Sequence, residues 1–233
     1  MFRTIVALLA ALIFGTSGCA ARYPDDRFVS SAASVRPSTV LLTMKVPPEH
    51  KADRYDDEYA TGMVIASGAW GSDILTVAHA VDDAWDIVAT VADKTKLAAV
   101  VVAKNKDLDV ALVRTKQSGL MPLALGTSAH LSSQLGREVG LVGYPIPDEF
   151  ADENLGLAPS FNTGHLSSLR KHALEVSLPI VPGESGAPVF LIDTGSVIGM
   201  AESRFDDEHS IGFALPIDDA KAFLHQHDAE HGF

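Results

Sequence analysis

Cysteine is almost missing from this chain: 233 residues contain one, Cys19. A lone thiol excludes an internal disulfide, so a domain of this length must rely on its packed core. Positive charge is also scarce. Eighteen Lys and Arg face thirty Asp and Glu, for a formal net charge of −12. That balance argues against nucleic acid or an anionic membrane surface as a partner. No apolar run is long enough to cross a membrane, since the one from Thr4 to Phe14 is too short. No internal repeat or low-complexity block occurs. Nor does a metal or cofactor site suggest itself. His225, His227 and His231 cluster near the C-terminus and read as solvated helix-end groups. The Asp56-Asp57-Glu58 run lacks the spacing of a calcium loop and reads as solvated surface.

What is present begins with a leader. Met1-Phe2-Arg3, the apolar run and Gly15-Thr16-Ser17-Gly18 describe an export signal over residues 1–18. Cys19 follows Ser17-Gly18, which resembles a bacterial lipoprotein cleavage box with Thr16 where Leu is usual. The expectation is lipidation of Cys19 and a cell-envelope protein whose only membrane contact is that anchor. Ala20 and Ala21 lack an acidic retention signal, which points to the outer membrane, facing the periplasm. Ordinary cleavage near Gly18-Cys19-Ala20 is the alternative. Removing residues 1–18 takes away Arg3 and moves the net charge from −12 to −13. Residues 19–37, small, polar and Pro-containing, read as a tether.

The remaining ~210 residues suit one domain of two packed halves. Short, β-branched, turn-bounded segments recur: Thr39–Met44, Ile74–Val77, Ile87–Val91, Leu97–Ala103 and Val110–Val113. The second half adds Glu138–Gly143, Thr163–Ser168, Ala173–Leu178, Pro188–Ile192, Ser196–Ser203 and Ile211–Ala214. This is an all-β, barrel-like pattern. Pro47–Ala60 reads as a charged loop and Pro145–Phe161 as a long acidic one. Ile217–His227 reads as a closing helix, with Asp218 and Asp219 in its first turn and Ala220, Phe223 and Leu224 on its apolar face.

Three segments carry chemistry: Leu75-Thr76-Val77-Ala78-His79, Asp109-Val110-Ala111-Leu112 and Gly183-Glu184-Ser185-Gly186-Ala187-Pro188. Amide hydrolysis by a hydroxyl needs a base for its proton, a carboxylate to orient and stabilise that base, and N–H donors for the oxyanion. The chain offers all three in the order His, Asp, Ser. For the acid, Asp109 competes with Asp107, Asp82, Asp83 and Asp86. Glycine at 183 suits a loop that turns sharply enough to aim two N–H groups one way.

These segments resemble the trypsin-like (chymotrypsin-fold) peptidases, and the Deg/HtrA-type branch most of all. Thr61-Gly62-Met63-Val64-Ile65, Gly140-Leu141-Val142-Gly143-Tyr144-Pro145, Thr163-Gly164-His165-Leu166-Ser167, Val197-Ile198-Gly199-Met200 and Ile211-Gly212-Phe213-Ala214-Leu215-Pro216 extend the likeness from about Ser38 to His227. The resemblance implies two six-stranded antiparallel β-barrels packed face to face, with a C-terminal helix. Within a domain over 38–233, barrel one would cover about 38–122, barrel two about 123–216 and the helix 217–227. It implies Ser185 as nucleophile, His79 as general base, Asp109 as orienting acid, and the N–H groups of Gly183 and Ser185 as oxyanion hole. Asp109 is chosen because it directly precedes the aliphatic run, and Asp107 is then a turn residue. With Phe233 as the last residue, the PDZ domain common in Deg/HtrA-type proteins is not expected.

Glu184 stands where digestive enzymes carry an Asp that pairs with a new N-terminus, and it is expected here to be solvated or Arg-paired. The substrate pocket is expected from Pro179, Ile180 and Val181, from Met200 and Ala201, and from Ile211 and Phe213. Pro179 takes the place of trypsin's pocket acid. Glu202, followed by Ser203-Arg204, is expected to be exposed and Arg-paired. Cleavage of a protein or peptide after small or medium apolar residues follows, because an unpaired buried cation is costly. The expected activity is an exported serine endopeptidase working through an acyl-enzyme. The alternatives are a silent trypsin-fold binding or scaffold lipoprotein, and an esterase using the same triad.

Overall fold

The computed structural model describes residues 26–48, 56–202 and 211–231, with side chains to 227 in the last stretch. The expected export signal, Cys19 and Ser203-Arg204 lie outside the described residues.

Twelve strands close into two antiparallel barrels, as expected. Barrel one comprises β1 (Thr39–Val46), β2 (Asp56–Gly68), β3 (Gly71–Thr76), β4 (Trp85–Thr90), β5 (Lys96–Asn105) and β6 (Val110–Thr115). They close in the order β1-β2-β3-β6-β5-β4. Barrel two comprises β7 (Glu138–Gly143), β8 (Ser160–Arg170), β9 (Ala173–Val176), β10 (Pro188–Leu191), β11 (Val197–Glu202) and β12 (Gly212–Pro216), closing as β10-β11-β12-β9-β8-β7. β-Branched and aliphatic residues drive this. Val40, Leu42, Met63, Ile74, Leu75 and Val113 are fully or almost fully buried in the first half, and Leu141, Leu166, Leu174, Val176 and Val189 in the second. Closure leaves no unpaired sheet edge to aggregate among the described strands.

The connection between the barrels is stitched to both. Leu123 N–H donates to Val64 O at 2.8 Å, and Gly126 N–H donates to Val197 O at 2.8 Å. The closing helix (Ile217–His231) buries Ala220 and Phe223 in the core cluster that also holds Val197, Met200 and Leu215. Its Asp218 Oδ2 accepts the N–H groups of Ser128 and Ala129 at 2.9 and 3.0 Å, which ties the helix start to the connection.

Four expectations need correction. The tether contains a helix, α1 (Asp26–Val35), because Phe28, Ser31, Ala32 and Val35 recur at helical spacing and pack inward. Val35 is fully buried, and Arg27 Nη1 pairs with Glu138 Oε2 on β7 at 2.8 Å. The charged loop is shorter than expected, because β2 begins at Asp56, where Asp57 pairs in register with Lys45. The acidic loop contains a short helix, Pro147–Asp152, started by a proline that suits a first helical turn. Last, His227 is 6% exposed, because the closing helix packs it inward.

Candidate active site

His79 sits in a single helical turn, Ala78–Val81, directly after β3. Asp109 lies in the turn that precedes β6, at φ 53°, a left-handed conformation that Asp tolerates better than most residues. That backbone places its carboxylate against His79 twice. Oδ1 accepts the His79 backbone N–H at 2.9 Å, and Oδ2 meets the imidazole Nδ1 at 2.7 Å. The backbone bond fixes the carboxylate and the Nδ1 bond fixes the ring's orientation, which leaves Nε2 as the ring nitrogen turned away from the acid. The Asp109 bond raises the imidazole's pKa above the ordinary histidine value. Partial burial opposes it, and the charges of Asp109, Glu58 and Glu202 add to it. Asp107 has a different job. Its N–H and that of Leu108 both donate to Asn105 Oδ1 at 3.0 Å, which builds the turn.

Ser185 stands in the loop between β9 and β10 and is 5% exposed. It reaches the first barrel through its own carbonyl, which accepts Thr61 N–H at 2.9 Å. Gly186 follows at φ +89°. A Cβ there would lie 2.0 Å from Thr61 O and 2.5 Å from Thr76 Oγ1, so only glycine lets the loop press against the strand ends that carry His79. Ser185 Oγ makes no hydrogen bond among the described residues. The Oγ–Nε2 bond of the expected mechanism is therefore not formed in this state.

The peptides around Ser185 are each held from one side. A trans peptide points its C=O and N–H in opposite directions. Pro182 O accepts Ile146 N–H at 2.8 Å, which turns Gly183 N–H the other way. Glu184 O accepts Ala187 N–H at 2.9 Å, which does the same for Ser185 N–H. Neither N–H donates to any other group among the described residues. Gly183 itself has φ +87°, and a Cβ would lie 2.4 Å from Tyr144 O, so the loop needs glycine there as well. Ile146 holds Pro182 from φ 34°, ψ 56°, a costly left-handed conformation for a β-branched residue. Sequence reasoning passed over Ile146, because nothing in its residue type signals that backbone.

Glu184 departs from expectation. It is neither solvated nor Arg-paired but fully buried. Its Oε2 accepts Val181 N–H at 3.1 Å, and Asn162 Nδ2 reaches Oε1 at 3.5 Å. Burial pushes its pKa up to about 7, against the lowering effect of the Val181 bond. The sign follows from proton uptake. Above about pH 4.5 the unfolded chain loses this proton while the folded chain keeps it up to about 7. Stability should therefore fall as pH rises across that window, by roughly 3 kcal/mol at most. Glu184→Gln is expected to remove this slope, read from urea midpoints at pH 5 and pH 8. Equal losses in variant and wild type would refute it.

The expected pocket residues divide. Ile180 Cδ1 and Cγ1 lie 2.7 and 2.8 Å from where a Gly212 Cβ would be, so Ile180 covers Gly212. Ala201 lines the nucleophile segment, with Ala201 N–H on Ala187 O and Gly186 N–H on Ala201 O, both at 2.8 Å. Met200 belongs to the other apolar cluster, with Phe190 and Leu215, and is fully buried. Val181 is half-buried, Phe213 pairs with Glu202 in register, and Pro179 and Ile211 are exposed. Glu202 is not exposed either: it is 1% accessible, drawn in by β11, and its charge acts on His79.

Comparison with known proteins agrees with this architecture. Residues 60–200, more than half of the chain, match the trypsin-like peptidase domain. HhoA of Synechocystis sp., named as a candidate serine protease, is 35% identical over 163 residues, covering 64% of this chain and 38% of its own. The chloroplastic protease Do-like 1 of Arabidopsis thaliana is 29% identical, covering 66% and 36%. A chain of Halomonas elongata, named a probable periplasmic serine endoprotease, DegP-like, is 29% identical, covering 75% and 36%. This chain thus spans little more than a third of the length of these relatives. Among solved structures, the HtrA-type protease AlgW with a tripeptide superposes at TM-score 0.70 and 20% identity, over 88% of this chain and 64% of that one. A variant of the same protease gives 0.72 at the same identity and coverage. Matching sequence over residues 60–200 and matching double-barrel fold lead to one conclusion: the chain belongs to the trypsin-like peptidase domain family.

Proposed function

We propose that this chain is an exported serine endopeptidase that cleaves proteins or peptides through Ser185, His79 and Asp109. One observation carries the reading. Two N–H groups unengaged among the described residues, those of Gly183 and of Ser185 itself, accompany a serine whose loop is bonded to the strands that present an Asp109-bound imidazole. Ser185 Oγ attacks the scissile carbonyl while His79 Nε2 takes its proton. The carbonyl oxygen gains negative charge against the two N–H groups. His79 then protonates the leaving amine, and the acyl-enzyme is released by water, which gives its proton to the same nitrogen. Asp109 holds the tautomer and stabilises the imidazolium at each step. The Oγ–Nε2 bond, not formed in this structure, is to form when substrate is bound. Such contacts often tighten only when substrate binds.

A fluorophosphonate probe tests this directly. Wild-type chain is expected to be labelled at Ser185 and to hydrolyse peptide substrates. No labelling under any condition would leave a silent binding fold. Labelling with ester but no peptide turnover would leave an esterase.

The preference proposed is for small or medium apolar side chains, because Ile180, an expected pocket residue, lies across Gly212 and takes up space beside it. Ile180→Ala is expected to raise cleavage after Leu, Met or Phe relative to Ala or Val by about tenfold, the scale of one or two methylenes in such a pocket. Cleavage profiles on a peptide library check this, and an unchanged ratio counts against it. The periplasmic relative and the leader support an envelope location. Lipid at Cys19 is the finer proposal. Cys19→Ser should move the protein from the membrane to the soluble fraction, and an unmodified wild-type N-terminus would rule the lipid out.

A further inference from the structure

Thr61 is fully buried on β2, in the barrel that carries His79 and Asp109. Every polar group it has is engaged. Its N–H donates to Ser185 O at 2.9 Å. Its hydroxyl donates to Gly183 O at 2.7 Å and accepts Tyr144 N–H at 3.0 Å. Its carbonyl accepts Thr76 Oγ1–H at 2.8 Å, on the strand that leads into His79.

The bond to Gly183 O has a particular consequence. The Gly183–Glu184 peptide joins the two peptides whose N–H groups form the oxyanion site, so any rotation of it re-aims both. Its carbonyl rests on the Thr61 hydroxyl, and its N–H donates to Val181 O at 3.0 Å. Threonine's β-branched side chain restricts its rotamers, so the hydroxyl is held in place rather than found by chance. Tyr144, bonded to the same oxygen, immediately precedes the Pro145-Ile146 segment whose Ile146 N–H holds Pro182 O. One hydroxyl therefore ties the base-bearing barrel to two of the supports that orient the donors.

We propose that Thr61 is a positioning residue: its hydroxyl, reaching across the barrels, sets the aim of the Gly183 and Ser185 N–H groups relative to His79. The proposal rests on the serine-protease reading above. Preorganised donors act on the transition state more than on bound substrate, so the effect belongs in kcat.

The test uses three variants of the full chain. Thr61→Val keeps the shape and backbone bonds but removes the hydroxyl. It is expected to lower kcat roughly 10²-fold, with KM within about threefold, and to slow fluorophosphonate labelling by the same factor as kcat. Thr61→Ser restores the hydroxyl and is expected to recover kcat to within about fivefold of wild type, on the same ground. A Thr61→Val protein with wild-type kcat overturns the proposal. So does a Thr61→Ser protein as slow as Thr61→Val, which would make the methyl the important group. Should Thr61→Val fail to fold, Thr61→Cys replaces it: a thiol is a weak donor, so an intermediate kcat supports the proposal and a wild-type one overturns it. If the wild-type chain is never labelled, the protease reading fails first. The hold of Thr61 on the loop is then read from the Gly183 and Ser185 amide shifts, and unchanged shifts in the variant overturn it.

Discussion

Ser185→Ala is expected to fold normally and to cleave peptide roughly 10⁶-fold more slowly than wild type, the scale found when a triad nucleophile is removed. The change deletes one oxygen from a residue whose Oγ bonds to nothing described, so the loop loses no internal support. Its backbone anchors, Thr61 N–H on Ser185 O and Ala187 N–H on Glu184 O, survive. His79→Ala should be comparably damaging, and the double variant no worse than either alone, because the members act as a unit. The measurement is kcat on one peptide substrate, with thermal unfolding as the control. Undiminished turnover by a folded Ser185→Ala protein would end the mechanism proposed here.

Replacing Asp109 by Asn should lower kcat by about 10⁴. The amide nitrogen presents a donor where Nδ1–H needs an acceptor, which favours the tautomer with its proton on Nε2 and blocks the base. The acidic limb of kcat/KM should also move to lower pH, because the largest cause of His79's raised pKa is the bond to this carboxylate. Asp107→Asn is the matched control. Its N–H, not its carboxylate, makes the bond to Asn105, so activity should stay within about twofold. The reverse order of damage would assign the acid to Asp107.

The sequence alone determined the all-β, barrel-like class, because most strands are short apolar runs bounded by turn residues, and that signal is local. The division into two six-stranded barrels came through the resemblance to the trypsin-like peptidases, and the charged start of β2 read as loop. The sequence also carried the pairing of Asp109 with His79, through the resemblance of Asp109-Val110-Ala111-Leu112 to that family's acid segment; the residues alone left Asp107 and three other acids open. The helix Asp26–Val35 was missed: Phe28, Ser31, Ala32 and Val35 recur at helical spacing, but the small and polar residues around them read as a tether. The tertiary structure decided what depends on contacts between distant segments. Glu184 looks solvated in sequence, yet the loop turns it under Asn162 and into a buried site, where desolvation and not composition sets its proton affinity. Glu202 followed by Ser203-Arg204 reads as surface, but β11 carries it inward, where its charge acts on His79. Thr61 reads as one residue of a strand, and only closure of the two barrels against each other places its hydroxyl on a carbonyl 122 residues away. A strand's existence is written in neighbouring residues. Which buried groups share a hydrogen bond is fixed by how two finished barrels meet, and no local pattern encodes that.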